Sequence, residues 1–106
     1  KGQPWESAKA FDGSAPLSAL VPAARIGHPA TGAIRLSVNG TVKQAADLSQ
    51  MIWSVPAMIA ELSRAFALLP GDLIMTGTPS GVAPVLMGDR LEAVVEGVAT
   101  LAVTVR

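Results

Sequence analysis

The chain has 106 residues, with eight basic residues balanced by eight acidic ones. That leaves room for one domain at most, and no basic run could neutralise a string of phosphates, so nucleic acid is set aside as a partner. Cysteine is absent, which excludes disulfides, zinc–thiolate centres and thiol nucleophiles within the chain and fits a cytoplasmic origin.

The first residue is Lys1, with neither a methionine nor a basic start followed by an apolar signal region, and the expectation is an internal piece of a longer protein. Residues 1–33 are rich in Gly, Pro, Ser and Ala. Pro4, Gly13 and Pro16 punctuate "KGQPWESAKAFDGSAPLS" too closely for a long helix. The segment "AIRLSVNGTVKQ" follows, placing Ile34, Leu36 and Val38 on one face of a strand and turning at Asn39-Gly40, the strongest two-residue hairpin signal. A two-residue loop pairs Val38 with Thr41 and so sets Val42 on the face opposite Leu36, which predicts that both faces are partly covered.

Ser54 is placed to cap a helix over about 54–69, with Val55, Ile59, Leu62, Phe66 and Leu69 recurring along one stripe that reads as a core face. Pro56 is tolerated in the first turn, and Pro70-Gly71 stops the helix. Glu61 and Arg64 interrupt this most hydrophobic helical stretch, so no apolar run reaches the ~20 residues of a bilayer crossing, and a soluble chain is expected. After the helix, "DLIMTG" reads as a short buried strand. The segment "DRLEAVVEGVATLAVTVR" reads as two more strands about a turn at Gly97, with Leu101, Val103 and Val105 alternating against Thr100, Ala102 and Thr104. The architecture is then a β-rich α+β domain of five or six strands and one main helix. Half the residues are apolar, only 15% are charged, and the mean hydropathy is +0.45. These values exclude a disordered chain and predict more apolar surface than a small monomer carries, hence a partner surface or a further part of the same protein.

Much of the usual catalytic vocabulary is missing. His28 is the only histidine and lies in the loop "RIGHPATG", where a solvated histidine is favoured over a catalytic base. No Gly-x-Ser-x-Gly elbow, P-loop or dinucleotide fingerprint occurs. None of the acidic residues forms a close Glu-x-Glu or Asp-x-Asp pair, so the one or two converging carboxylates that a hard cation wants are lacking. Asp72 and Asp89 each follow a glycine and read as turn residues.

Two features remain. Lys9 has Ala8, Ala10 and Phe11 as neighbours, and a partly buried lysine can pair with a carboxylate or stabilise an enolate, although composition alone favours a surface residue. The segment "GDLIMTGTPSGV" crowds Thr76, Gly77, Thr78 and Ser80 into five positions. There Gly77 lets a ligand approach the backbone, and Pro79 holds Thr78 extended. Amides and hydroxyls so arranged can hold a carboxylate, but ordinary turn chemistry accounts for them equally well.

Taken in order, "KGQPW", "AKAFDGSAPLS", the Asn39-Gly40 hairpin, "MIWSVPAMIAELS", "PGDLIMTGTPSGV" and "GDRLEAVVEG" resemble the C-terminal half of the fumarylacetoacetate hydrolase family over essentially the whole chain. The similarity is greatest to the branch of acylpyruvases, fumarylpyruvate hydrolases and oxaloacetate decarboxylases. The resemblance implies part of a mixed β-roll, a homodimer, and a Mg²⁺- or Mn²⁺-dependent enzyme acting on 2,4-dioxo acids. Its "AKxFD" lysine falls on Lys9 and the second threonine of its "TGTP" on Thr78, beside Gly77. That implies Lys9 as a catalytic residue and Gly77 and Thr78 as substrate-binding residues. The family's metal ligands, a Glu-x-Glu pair and a further aspartate, and its His/Glu base lie upstream of the "KGxPW" block and match nothing here, so the metal ligands are expected outside this chain. Asp12 belongs to the lysine block and gains no metal role.

The implied chemistry is hydrolysis of an acylpyruvate, in which the departing pyruvate enolate is a poor leaving group unless its charge is held. A chelated divalent ion supplies most of that stabilisation, Lys9 adds to it, and the loop at Thr78 fixes the far end of the substrate. Decarboxylation or isomerisation of a related oxo-diacid is the alternative within the family, and a non-catalytic dimerisation fragment the alternative outside it.

Overall fold

The computed structural model describes residues 12–106, and within them the chain is an α+β unit built on one antiparallel sheet. A four-residue helix, α1 (Ala23–Ile26), precedes strands β1 (Ala33–Val38) and β2 (Thr41–Asp47). A 3₁₀ turn at Leu48–Gln50 leads to the main helix, α2 (Val55–Ala65), and the chain closes with β3 (Arg90–Val95) and β4 (Ala99–Thr104). The strand order is β2-β1-β3-β4, and every pairing is antiparallel.

The hairpin forms where Asn39-Gly40 places it. Asn39 has φ 50° and Gly40 φ 82°, the left-handed backbone that a two-residue turn requires and that these residues adopt at little cost. Asn39 also ties the hairpin to the next strand, since its Nδ2 donates to Asp89 Oδ1 at 2.9 Å and its Oδ1 accepts from the Arg90 amide at 2.9 Å. Past the turn the register runs Val38↔Thr41 and Ser37↔Val42, then jumps to Leu36↔Gln44. Lys43 is therefore the extra residue of a β-bulge, which turns Gln44 onto the face of Leu36. Val42 sits opposite that face as expected, but it is 53% exposed, so its side of the sheet is not covered there.

One sheet face collects Ile34, Leu36 and Val38 with their cross-strand partners Val95, Ala93 and Leu91, and then Ala99, Leu101 and Val103 from β4. In β4 the expected alternation holds, with Leu101 and Val103 half-buried and Thr100, Ala102 and Thr104 exposed.

Four expectations need correction. Helix α2 is capped by Ser54, whose Oγ accepts from the Ala57 amide at 3.2 Å, but it ends at Ala65 rather than near Leu69. Phe66 turns extended (φ −135°, ψ 147°), and the Leu69 amide donates to Asp72 Oδ2 at 2.8 Å instead of to a helical carbonyl. The apolar stripe expected over 54–69 is not a core face among the described residues: Ile59 is 42% exposed and Phe66, beyond the helix end, 65%. Finally, "DLIMTG" is neither a strand nor buried, because residues 72–77 pair with neither sheet edge and both Leu73 and Met75 are exposed. Four strands, not five or six, are present among the described residues.

Candidate active site

The loop Thr76–Ser80 leaves residue 75 as irregular chain and carries Thr76, Gly77, Thr78 and Ser80 exposed. Gly77 has φ 97°, a conformation that side chains rarely adopt, and a Cβ built there would meet nothing within 4 Å. The backbone is thus bare there, with open space beside it.

What holds this loop is β2. Gln44 is 8% exposed and is the only buried polar residue among the described residues. Its Nε2 donates to Thr78 Oγ1 at 2.8 Å and to the Pro79 carbonyl oxygen at 2.6 Å. Beyond Ser80 the chain presses against the bulge. Gly81 has φ 105°, and a Cβ there would run into the Lys43 carbonyl oxygen and lie 3.2 Å from Gln44 Cγ. Only glycine fits so close an approach at that φ.

Thr76, Gly77, Thr78 and Pro79 form one wall of a cavity of about 440 Å³. Ile34 and Ala46 of the sheet and Met58 of α2 contribute to the rest. The lining is mainly apolar, with Thr76 and Thr78 on the loop and Asp47 and Gln50 opposite as its polar side chains, a composition suited to orienting a small polar ligand. Asp47 also reaches the cavity, but its carboxylate is already occupied. It accepts from the Ser49 amide at 2.9 Å and the Gly32 amide at 3.2 Å, while Gln50 Oε1 accepts from the Asp47 amide at 2.7 Å. The Ser49 amide first, then the Ser49 side chain and the Gly32 amide, hold Asp47 below the usual carboxylate range, with burial opposing them.

Of the residues singled out from sequence, Gly77 and Thr78 lie together on the cavity wall, and Lys9 lies outside the described residues. His28 is exposed in its loop. Asp72 and Asp89 are turn residues as read, each accepting a backbone amide three residues back, Leu69 and Leu86, at 2.8 Å. Among the described residues no group of three or more His, Asp or Glu side chains is placed to hold a metal ion. Gln44 was not legible in the sequence. In an unbroken register it faces Arg35 on the other side of the sheet, and only the bulge at Lys43 brings it under Thr78.

The whole chain, residues 1–106, matches the model of the fumarylacetoacetate (FAA) hydrolase C-terminal family. It is 43% identical over 105 residues to a fumarylpyruvate hydrolase of a Ralstonia species, covering 99% of this chain and 54% of that protein. It is 46% identical over 97 residues to an oxaloacetate tautomerase of Escherichia coli, covering 91% of this chain and 44% of that protein. In structure it resembles the Pseudomonas aeruginosa fumarylpyruvate hydrolase in complex with Mn²⁺ and pyruvate, with a TM-score of 0.94, 49% identity, and coverage of 98% of this chain and 45% of that one. The chain therefore spans about half the length of these relatives.

Proposed function

The chain belongs to the fumarylacetoacetate hydrolase family, and on that premise we propose that it forms part of an acylpyruvate hydrolase cleaving a carbon–carbon bond in a 2,4-dioxo acid such as fumarylpyruvate. One observation carries the reading. The amide-and-hydroxyl loop at Gly77 and Thr78 lines a small apolar cavity, in a chain 49% identical to a structure that holds Mn²⁺ and pyruvate. In this proposal Gly77 and Thr78 bind a substrate carboxylate and fix the direction of the scissile bond. Water adds to the acyl carbonyl, and the bond to the pyruvate methylene breaks. The electron pair leaves as the pyruvate enolate, which takes a proton to give pyruvate beside the carboxylic acid. Lys9 is assigned to the developing enolate charge as an ammonium group. The activity requires Mg²⁺ or Mn²⁺ with ligands supplied from outside this chain, and the working unit is a cytoplasmic homodimer.

A second reading is favoured by the 46% identity to the Escherichia coli oxaloacetate tautomerase, namely isomerisation of oxaloacetate through the same kind of enol. The test is an assay of the protein expressed from its complete reading frame, with fumarylpyruvate and with oxaloacetate, with Mn²⁺ or Mg²⁺ and with a chelator. Pyruvate release from fumarylpyruvate that the chelator abolishes, and that Lys9→Ala lowers by ~100-fold, is the expected result. Tautomerisation of oxaloacetate without cleavage of fumarylpyruvate moves the assignment to the second reading. Turnover of neither leaves a non-catalytic dimerisation fragment.

A further inference from the structure

Gln44 offers its nitrogen to two acceptors at once, and one of them settles how the amide is turned. The Pro79 carbonyl oxygen has only lone pairs to offer, so the Gln44 atom 2.6 Å from it is the amide nitrogen and not the oxygen. The same nitrogen lies 2.8 Å from Thr78 Oγ1. With one amide hydrogen on each partner, the Thr78 oxygen is an acceptor towards Gln44, and its own hydrogen must point elsewhere. Thr78 is exposed and lines the cavity, so the hydrogen is available to an acceptor there.

We propose that Gln44 is a positioning residue that sets the Thr78 hydroxyl as a hydrogen-bond donor towards the substrate carboxylate. The role rests on the reading of the Thr76–Ser80 loop as a carboxylate cradle. A threonine hydroxyl carries one donor hydrogen and two acceptor lone pairs, so left to itself it can turn a lone pair towards an anion as readily as its hydrogen. Gln44 occupies one of those lone pairs and turns the hydrogen away from itself, which narrows the choice before the ligand arrives. Its burial keeps water from competing for the amide, and the bulge at Lys43 together with the tight approach of Gly81 fixes the distance between β2 and the loop. The substrate side therefore meets a donor already oriented, and little ordering remains for binding to supply.

The test is a double-mutant cycle in the protein expressed from its complete reading frame, reading KM and kcat for fumarylpyruvate with folding checked by circular dichroism. Gln44→Met keeps length and bulk while deleting both donors, and Gln44→Leu repeats that arm should the methionine variant not fold. Thr78→Val deletes the hydroxyl, and Thr78→Ser retains it. A hydrogen bond to a charged group predicts a rise in KM of about tenfold for Gln44→Met and for Thr78→Val, with near-normal KM for Thr78→Ser. The combined variant should also rise about tenfold and not ~100-fold, because both changes act through the same hydroxyl. A purely structural Gln44 would displace the Gly77 and Thr78 amides as well, and its effect would persist when the hydroxyl is already gone. Normal KM in the Gln44 variants with a raised KM in Thr78→Val, or additive losses, overturns the positioning role alone. Normal KM in Thr78→Val, or no turnover in the parent protein, overturns the cradle reading and the role with it.

Discussion

Asp47 and Asp89 each close a turn by folding the carboxylate back onto backbone amides, one after β2 and one before β3. Asp47 accepts from Ser49 and Gly32, while Asp89 accepts from the Leu86 amide and from Asn39 Nδ2. All of these donors favour the charged form. They lower both pKa values, through the Ser49 amide first for Asp47 and the Leu86 amide first for Asp89, with burial working the other way. With folded values below the unfolded one, both carboxylates stabilise the protein fully above the unfolded pKa of about 4. That contribution is lost as pH falls through the lowered folded values. Urea midpoints measured from pH 5 to pH 2 should fall steeply below about pH 4 for the parent. They should fall less steeply for Asp47→Asn and Asp89→Asn, which start less stable at pH 5. Equal slopes in parent and variants would show that the two turns do not set the acid limit.

At the scale of elements, what could be read from the sequence was whatever depends on near neighbours. The Asn39-Gly40 turn, the Ser54 cap and the β4 alternation each follow from residues within a few positions, and each forms as expected. Ser54→Ala removes the acceptor for the Ala57 amide and should cost about 1 kcal/mol in urea unfolding, whereas Ser54→Asp should cost much less. An alanine variant as stable as the parent would mean that packing alone holds the first turn. Pairing with a distant segment is different in kind. The apolar run of "DLIMTG" suits a strand, but a strand also needs a paired neighbour, and residues 72–77 pair with neither edge strand, β2 or β4. The same limit hid the candidate site. Thr78 and Gly77 were marked by composition and resemblance, yet their support comes from Gln44, 34 residues earlier. That support arises because one inserted residue, Lys43, reverses the face of everything after it.

For the molecule as a whole, the accessible surface is 8526 Å², against the about 5500 Å² that the size scaling gives a compact monomer of 10.8 kDa. No hydrophobic side chain is fully buried among the described residues. Two apolar surfaces account for this: the stripe of α2, on which Val55 and Ile59 remain exposed, and residues 73–87, where Leu73, Met75, Val82, Leu86 and Met87 are each more than half exposed. Surfaces of this extent do not stay wet in a stable small protein. The α2 stripe keeps the spacing of a core face, so its exposure reflects what the 106 residues can reach and not a wrong periodicity. The 106-residue chain prepared alone should therefore bind a hydrophobic dye strongly and elute from a sizing column as dimers or larger species. The product of the complete reading frame should bind the dye weakly at the same molar concentration. A dye-silent monomer from the 106-residue chain alone would mean that the helix and the 73–87 segment fold back over the sheet in solution. In that case the cavity beside Thr78 would lose its open side, and the cradle could receive no substrate.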